Sequence, residues 1–128
     1  MGRPNQPVAW ARDGLDSNQE AIVDVPVEVL DELVRRIVEA VHPTRIILFG
    51  SAARGEMHEH SDIDVLVVVS DGVSQKDGWN RAFSGLRRFG FATDLVLVNE
   101  GVLARYANCP GLVYEQALKD GKEIYHAA

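Results

Sequence analysis

Residues 62–69 read Asp-Ile-Asp-Val-Leu-Val-Val-Val, and this run limits the fold more than any other stretch of the chain. Every position after Asp64 is aliphatic and most are β-branched, which suits an extended strand. A strand apolar on both faces has to be covered on both, so it belongs near the centre of a sheet with layers packed against it. The two carboxylates at its start then need an explanation of their own.

The flanking segments supply the layers. Val27, Leu30, Leu33, Val34, Ile37, Val38 and Val41 recur at helical spacing and predict one amphipathic helix. Asp24 can cap it, Pro26 suits its first turn, and His42-Pro43 stops it. Asp31 with Arg35 and Glu32 with Arg36 are i,i+4 pairs in the favoured order. Residues 44–49 predict a short apolar strand. Gly-Ser-Ala-Ala-Arg-Gly at 50–55 leaves it as a tight turn with one helical turn, closed by Gly55. A polar loop follows, then the central strand, then a second loop over 70–78. Residues 79–89 predict a helix weakened by Gly85, and 91–98 a third strand. Residues 101–120 look helical with a break near 108–111, Gly121 is a candidate C-terminal cap, and 122–126 fit a last short strand. The expected fold is α/β (α+β): a short mixed sheet of at least three strands flanked by helices. It would occupy residues 23–128, with 1–22 as a flexible arm of Pro, Gly, Asn and Gln that lacks periodicity.

A length of 128 residues makes one domain the default, and 46% hydrophobic residues permit a real core. The formal charge of −6 and pI near 5.1 argue against direct nucleic-acid binding, which usually shows a basic face. Cys109 is the only cysteine, so neither an intrachain disulfide nor a thiolate metal cluster can form. That fits a reducing cytoplasm. No run approaches the ~20 apolar residues of a membrane span, and the first ten residues lack a signal-peptide core.

On a strand, residues two apart share a face, so Asp62 and Asp64 project side by side. Two adjacent carboxylates repel unless they are solvated at the strand start or a cation lies between them. A calcium loop does not fit, because the run lacks the third oxygen ligand and the Gly of such a loop. Gly50, leaving the preceding strand, permits close backbone approach. Ser51 opens a turn whose N–H groups and hydroxyl can bind phosphate oxygens. Asp94 lies in an otherwise apolar strand, where a charge has to be paired, wet or metal-bound. Three converging carboxylates would form an all-oxygen site, which favours Mg²⁺ or Mn²⁺. Arg54 would neutralise a triphosphate or pair with an Asp to structure the loop. His58 and His60 have metal-ligand spacing, but their polar surroundings point to exposed surface. Arg81, Arg87 and Arg88 read as a solvated face, Tyr106, Tyr114 and Tyr125 as packing residues, and Cys109 as structural.

Taken together, Gly50-Ser51, ten residues, Asp62-Ile63-Asp64 and a later Asp94 resemble the signature of the polymerase-β-like nucleotidyltransferase superfamily. The closest likeness is to its small stand-alone members, the minimal nucleotidyltransferases; Arg54-Gly55 and Ser61 also match common family positions. The resemblance spans residues 25–125 and is sharp in the signature region. It lacks the second domain with which larger relatives hold a base or acceptor.

The resemblance implies catalytic, metal-binding Asp62, Asp64 and Asp94, and nucleotide-binding Gly50, Ser51 and Arg54. Mg²⁺ or Mn²⁺ would be the cofactor. ATP would donate AMP to a hydroxyl acceptor, with pyrophosphate leaving. Similar small members are paired with a helical HEPN protein in toxin–antitoxin modules, where the nucleotidyltransferase is the antitoxin and modifies its toxin with AMP. An acidic antitoxin would suit a basic partner. Two other readings stay open. One is a non-catalytic module that masks a partner. The other is an adenylyltransferase of small molecules such as antibiotics, in which a homo-oligomer would supply the missing wall.

Overall fold

In the computed structural model, which describes residues 25–57 and 61–127, the apolar stripe of the first segment folds as helix α1, Val27–Val41, and buries Val27, Leu30, Leu33, Ile37 and Val41. Pro26 occupies the N-cap position rather than the first turn. His42 ends the helix in the left-handed region at φ 49°, its N–H donating to Val38 O. The Glu32–Arg36 pair forms at 2.7 Å, and Arg35 reaches both Glu32 and Glu39. The arm at 1–22, the capping role of Asp24, and His58 and His60 lie outside the described residues.

The chain continues through β1 (Arg45–Phe49), α2 (Gly50–Arg54), β2 (Ile63–Val69), α3 (Gln75–Gly85), β3 (Thr93–Asn99), α4 (Glu100–Tyr106), α5 (Val113–Asp120) and β4 (Lys122–His126). The strands make one mixed sheet in the order β3-β2-β1-β4. β2 runs antiparallel to β1 and parallel to β3, so the aliphatic run is a central strand as expected. Alternation along the strands divides the core into two layers. Ile46, Leu48, Val65, Val67 and Val69 pack with α1, α3 and Phe89 on one face. Ile47, Phe49, Leu66, Val68 and Val98 pack under Leu103 of α4 and Ala117 of α5 on the other. Among the described residues, no helix is long and apolar enough to cross a membrane.

Two local expectations change. The helix expected at 79–89 runs instead from Gln75 to Gly85. The side chain of Ser74 accepts from Asp77 N–H and starts it four residues early. Arg36, reaching across from α1, donates to Gly85 O and Arg87 O and satisfies carbonyls at its end. Gly121 does stand at the end of α5, but with extended backbone (φ −82°, ψ 171°) rather than a left-handed cap. Glycine is required there for space. A Cβ would overlap Ala117 O and come within 2.7 Å of Ile47 Cγ2 and 2.9 Å of Leu48 O.

Candidate active site

The strand pairings bring the signature together at one end of the sheet. Phe49, the last residue of β1, is opposite Asp64 near the start of β2. On the other side of β2, the parallel register sets Asp64 against Asp94 and Ile63 against Thr93, with Ile63 N–H donating to Ala92 O at 2.9 Å. Asp64 shares the face of Leu66 and Val68, so its carboxylate emerges where the layer beneath α4 and α5 ends. Asp62 is exposed and immediately precedes β2.

Gly50 follows Phe49 with φ +71°, a conformation that favours glycine. It also lies against Asp64. A Cβ at Gly50 would overlap Asp64 Oδ2 and stand 3.1 Å from its Cγ. Gly50 thus turns the chain and leaves space for the carboxylate at the same point. The one-and-a-half turns of α2 then close with a paired C-terminal motif. Gly55, at φ 69°, donates to Ala52 O, and Glu56 N–H donates to Ser51 O at 2.8 Å. No side chain caps the start of α2, so its first backbone donors are left to other partners. The Ser51 hydroxyl donates to Met57 Sδ at 3.4 Å, a weak acceptor.

The electrostatics single out Asp64. Its carboxyl is pushed above the usual aspartate range, first by burial, then by the negative charges of Asp94 and Asp62; Arg54 opposes the shift. The three carboxylates and one guanidinium therefore act on each other. Arg54 pairs through Nε with Glu56, an acid two residues on, at 2.8 Å, and also acts electrostatically on Asp64. The sequence gives no reason to favour Glu56 beyond its proximity two residues on, and none at all for Met57. The burden of burial also falls on a different residue than expected. Asp94 is exposed at the start of an edge strand and stays wet, whereas Asp64, on the central strand, is half-buried.

The donors available to a cation are all carboxylate oxygens, and the mutual repulsion that raises Asp64 is what a divalent ion would relieve. Gly50 keeps clear the volume that a side chain would fill beside Asp64. The donor type is therefore the one that suits Mg²⁺ or Mn²⁺. Among the described residues, no three or more His, Cys, Asp or Glu side chains are grouped so that they could hold a metal ion.

This arrangement, carboxylates paired across two parallel strands beside a glycine turn, is that of a nucleotidyl-transfer fold. The nucleotidyltransferase domain model matches residues 28–125, and the chain belongs to that family. Among solved structures, a protein from Sulfolobus solfataricus assigned as a nucleotidyltransferase shares 22% identity over 78% of this chain and 79% of its own, with a TM-score of 0.52. A toxin–antitoxin complex with AMP-PNP gives 22% identity over 76% of this chain and 73% of its own, at a TM-score of 0.55. An MntA–HpeT toxin–antitoxin variant, with two aspartates two positions apart changed to glutamate, gives 19% identity over 76% and 72%, again at 0.55. These likenesses establish the fold. No curated protein matches the chain.

Proposed function

We propose that this nucleotidyltransferase moves AMP from ATP to a hydroxyl on a partner protein, as the antitoxin of a HEPN-type toxin–antitoxin pair. The observation that carries the reading is the register of Asp64 against Asp94, with Asp62 close enough to raise the Asp64 carboxyl. Asp62, Asp64 and Asp94 would hold Mg²⁺ or Mn²⁺, which when bound neutralises the triphosphate and sharpens the acceptor hydroxyl as a nucleophile. Gly50 and Ser51 would take the β- and γ-phosphates on the uncapped start of α2, the Ser51 hydroxyl exchanging its weak sulfur acceptor for a phosphate oxygen. Arg54, already within electrostatic reach of Asp64, would add positive charge at the phosphates. The acceptor oxygen bonds to the α-phosphorus, the bond from that phosphorus to the β-phosphate oxygen breaks, and pyrophosphate leaves with the electron pair. Asp94, which is exposed, would receive the acceptor's proton.

The toxin–antitoxin complexes among the fold's neighbours, one holding AMP-PNP, support a protein partner and an adenine nucleotide. Asp62 and Asp94 are exposed among the described residues, so a second protein could supply both the missing wall and the hydroxyl. The test mixes the chain with a HEPN-type partner, labelled ATP and Mg²⁺, and weighs the partner by mass spectrometry. One or more AMP units are expected on the partner, and none with Asp62→Ala. Neutralisation of an unmodified partner by Asp62→Ala would support the masking module instead. Label on a small molecule, with no protein labelled, would support an antibiotic-type transferase.

A further inference from the structure

Helix α3 packs through its small residues and leaves its large ones outside. Gly78 and Ala82 are buried. A Cβ at Gly78 would stand 3.3 Å from Leu97 and Val73, and one at Gly85 3.2 Å from the Ala40 Cβ. Trp79 and Phe83, one position on from these, stack at 4.8 Å with planes 10° apart. They remain 36% and 55% exposed. Phe91, beyond the helix, is 50% exposed and lies against Phe89 at 5.4 Å. With 150–250 Å² per aromatic side chain, roughly 200 Å² of Trp79 and Phe83 surface stays in water. Folding alone does not ask for this, because polar residues at 79 and 83 would leave the Gly78–Ala82 contact intact.

Through Trp79 the patch reaches the edge strand that carries Asp94, from the sheet face opposite the carboxylates. Trp79 Nε1–H donates to Leu95 O at 3.0 Å, the residue after Asp94, and Phe91 precedes Asp94 by three positions. β3 is an edge strand. Trp79 occupies Leu95 O, and Gln75 Oε1 accepts from Asn99 N–H at 3.1 Å. Side chains of α3 thus engage the edge at both ends, which leaves side-chain docking rather than strand addition as the mode of recognition. The charge is local as well. Residues 75–91 hold Lys76, Arg81, Arg87 and Arg88 against Asp77 alone, in a chain of net charge −6; Lys76, seven positions before Phe83, shares its helix face, whereas Arg81 is on the far flank.

We infer that this aromatic, basic surface docks an acidic segment of the partner protein and brings its hydroxyl toward Asp94. The docking stands on the patch; only the delivery of a hydroxyl rests on the proposed transfer reaction. A protein is favoured over a nucleic acid because Trp79 and Phe83 cover one another and Trp79 is tied to the backbone. That makes a rigid anchor of the kind that dominates protein interfaces, rather than separate platforms for bases.

The test titrates the full-length Trp10→Phe chain, in which Trp79 is the remaining tryptophan, with two synthetic peptides. One carries a single Tyr among Asp, Glu and Leu; the other has Lys in place of the acidic residues. A saturable change in Trp79 emission is expected with the acidic peptide only, weakened by ~10-fold or more in Phe83→Ala and in Arg87→Glu. Equal binding of both peptides, or no effect of either substitution, overturns the inference. So does tighter binding of oligoadenylate than of the acidic peptide, or a dimer that Phe83→Ala dissolves in sedimentation. Peptide binding without AMP transfer keeps the docking surface and removes the transfer reading. Transfer to the peptide at an undiminished rate in Phe83→Ala does the reverse.

Discussion

Gly50→Ala adds one methyl group where the chain's turn meets the carboxylate at the centre of the site, and its two effects can be separated. The backbone effect comes from φ +71°, which costs an L-residue about 1–2 kcal/mol. For a domain near this size, that lowers Tm by roughly 4–8 °C per kcal/mol. The steric effect falls on Asp64: the new Cβ overlaps Oδ2 and stands 3.1 Å from Cγ. Those atoms are the far end of a half-buried side chain, so the carboxylate rotates aside rather than the backbone giving way. Little further stability is lost, but a proposed metal ligand is mis-set, a fault that typically weakens metal affinity by about 10–100-fold. Gly111→Ala is the control, because it has φ +88° and nothing within 4 Å of the added Cβ. Thermal denaturation should show comparable losses for both variants. Calorimetric titration with Mn²⁺ and a nonhydrolysable ATP analogue, below both transitions, should show weakened binding for Gly50→Ala alone. Wild-type affinity in Gly50→Ala would refute the reasoning, because the Gly50–Asp64 contact would then have no part in the site.

Three further outcomes follow from single residues. Asp64→Asn should fold, stabilise the protein in chelator by roughly 0.2–1 kcal/mol by relieving its cross-strand repulsion with Asp94, and abolish transfer; wild-type turnover would remove Asp64 from the clamp. Gly121→Ala should cost about 1–3 kcal/mol in urea denaturation, because its Cβ meets backbone oxygens of both α5 and β1, and an unchanged midpoint would contradict that contact. Glu32, held down to about 2 by Arg35 and then Arg36, has a folded pKa below its unfolded 4.5, so its contribution to stability is present above pH 4.5 and lost as pH falls toward 2; Glu32→Gln should flatten that part of the stability–pH curve.

Where the sequence was legible, a local pattern and the tertiary environment agreed. The period of residues 27–41 and the unbroken aliphatics of 65–69 leave one solution each, and both formed. Helix α3 was harder to place because its start depends on Ser74 inside a polar stretch and its end on Arg36 of another helix, and no window around 75–89 contains that second partner. The core receives Gly78 and Ala82 from it, while Trp79 and Phe83 stay at the surface. Gly121 was correctly placed at a helix end, but the constraint is space, beside Ala117 O and beside Ile47 and Leu48 of β1, about six dozen residues earlier in the chain.

The site shows the same division. Period-two spacing sets Asp64 on the face of Leu66 and Val68, while Asp62 stands just before the strand; the partner strand and its direction decide everything else. Had β3 paired antiparallel to β2, the beginnings of the two strands would lie at opposite ends of the sheet and Asp94 would be far from Asp64. The parallel β2-α3-β3 connection aligns the two strand starts, and the antiparallel β1–β2 pair delivers Gly50 to that same end. A single small sheet of mixed direction can therefore collect a turn and three carboxylates from residues 50–94 without a second domain. It also explains why Asp64 bears the burial that Asp94 escapes: the central strand has a neighbour on each side, and the edge strand has one. Asp94, exposed on that edge strand, is where an acceptor can come, and Trp79 of α3 reaches the same strand from the opposite face of the sheet.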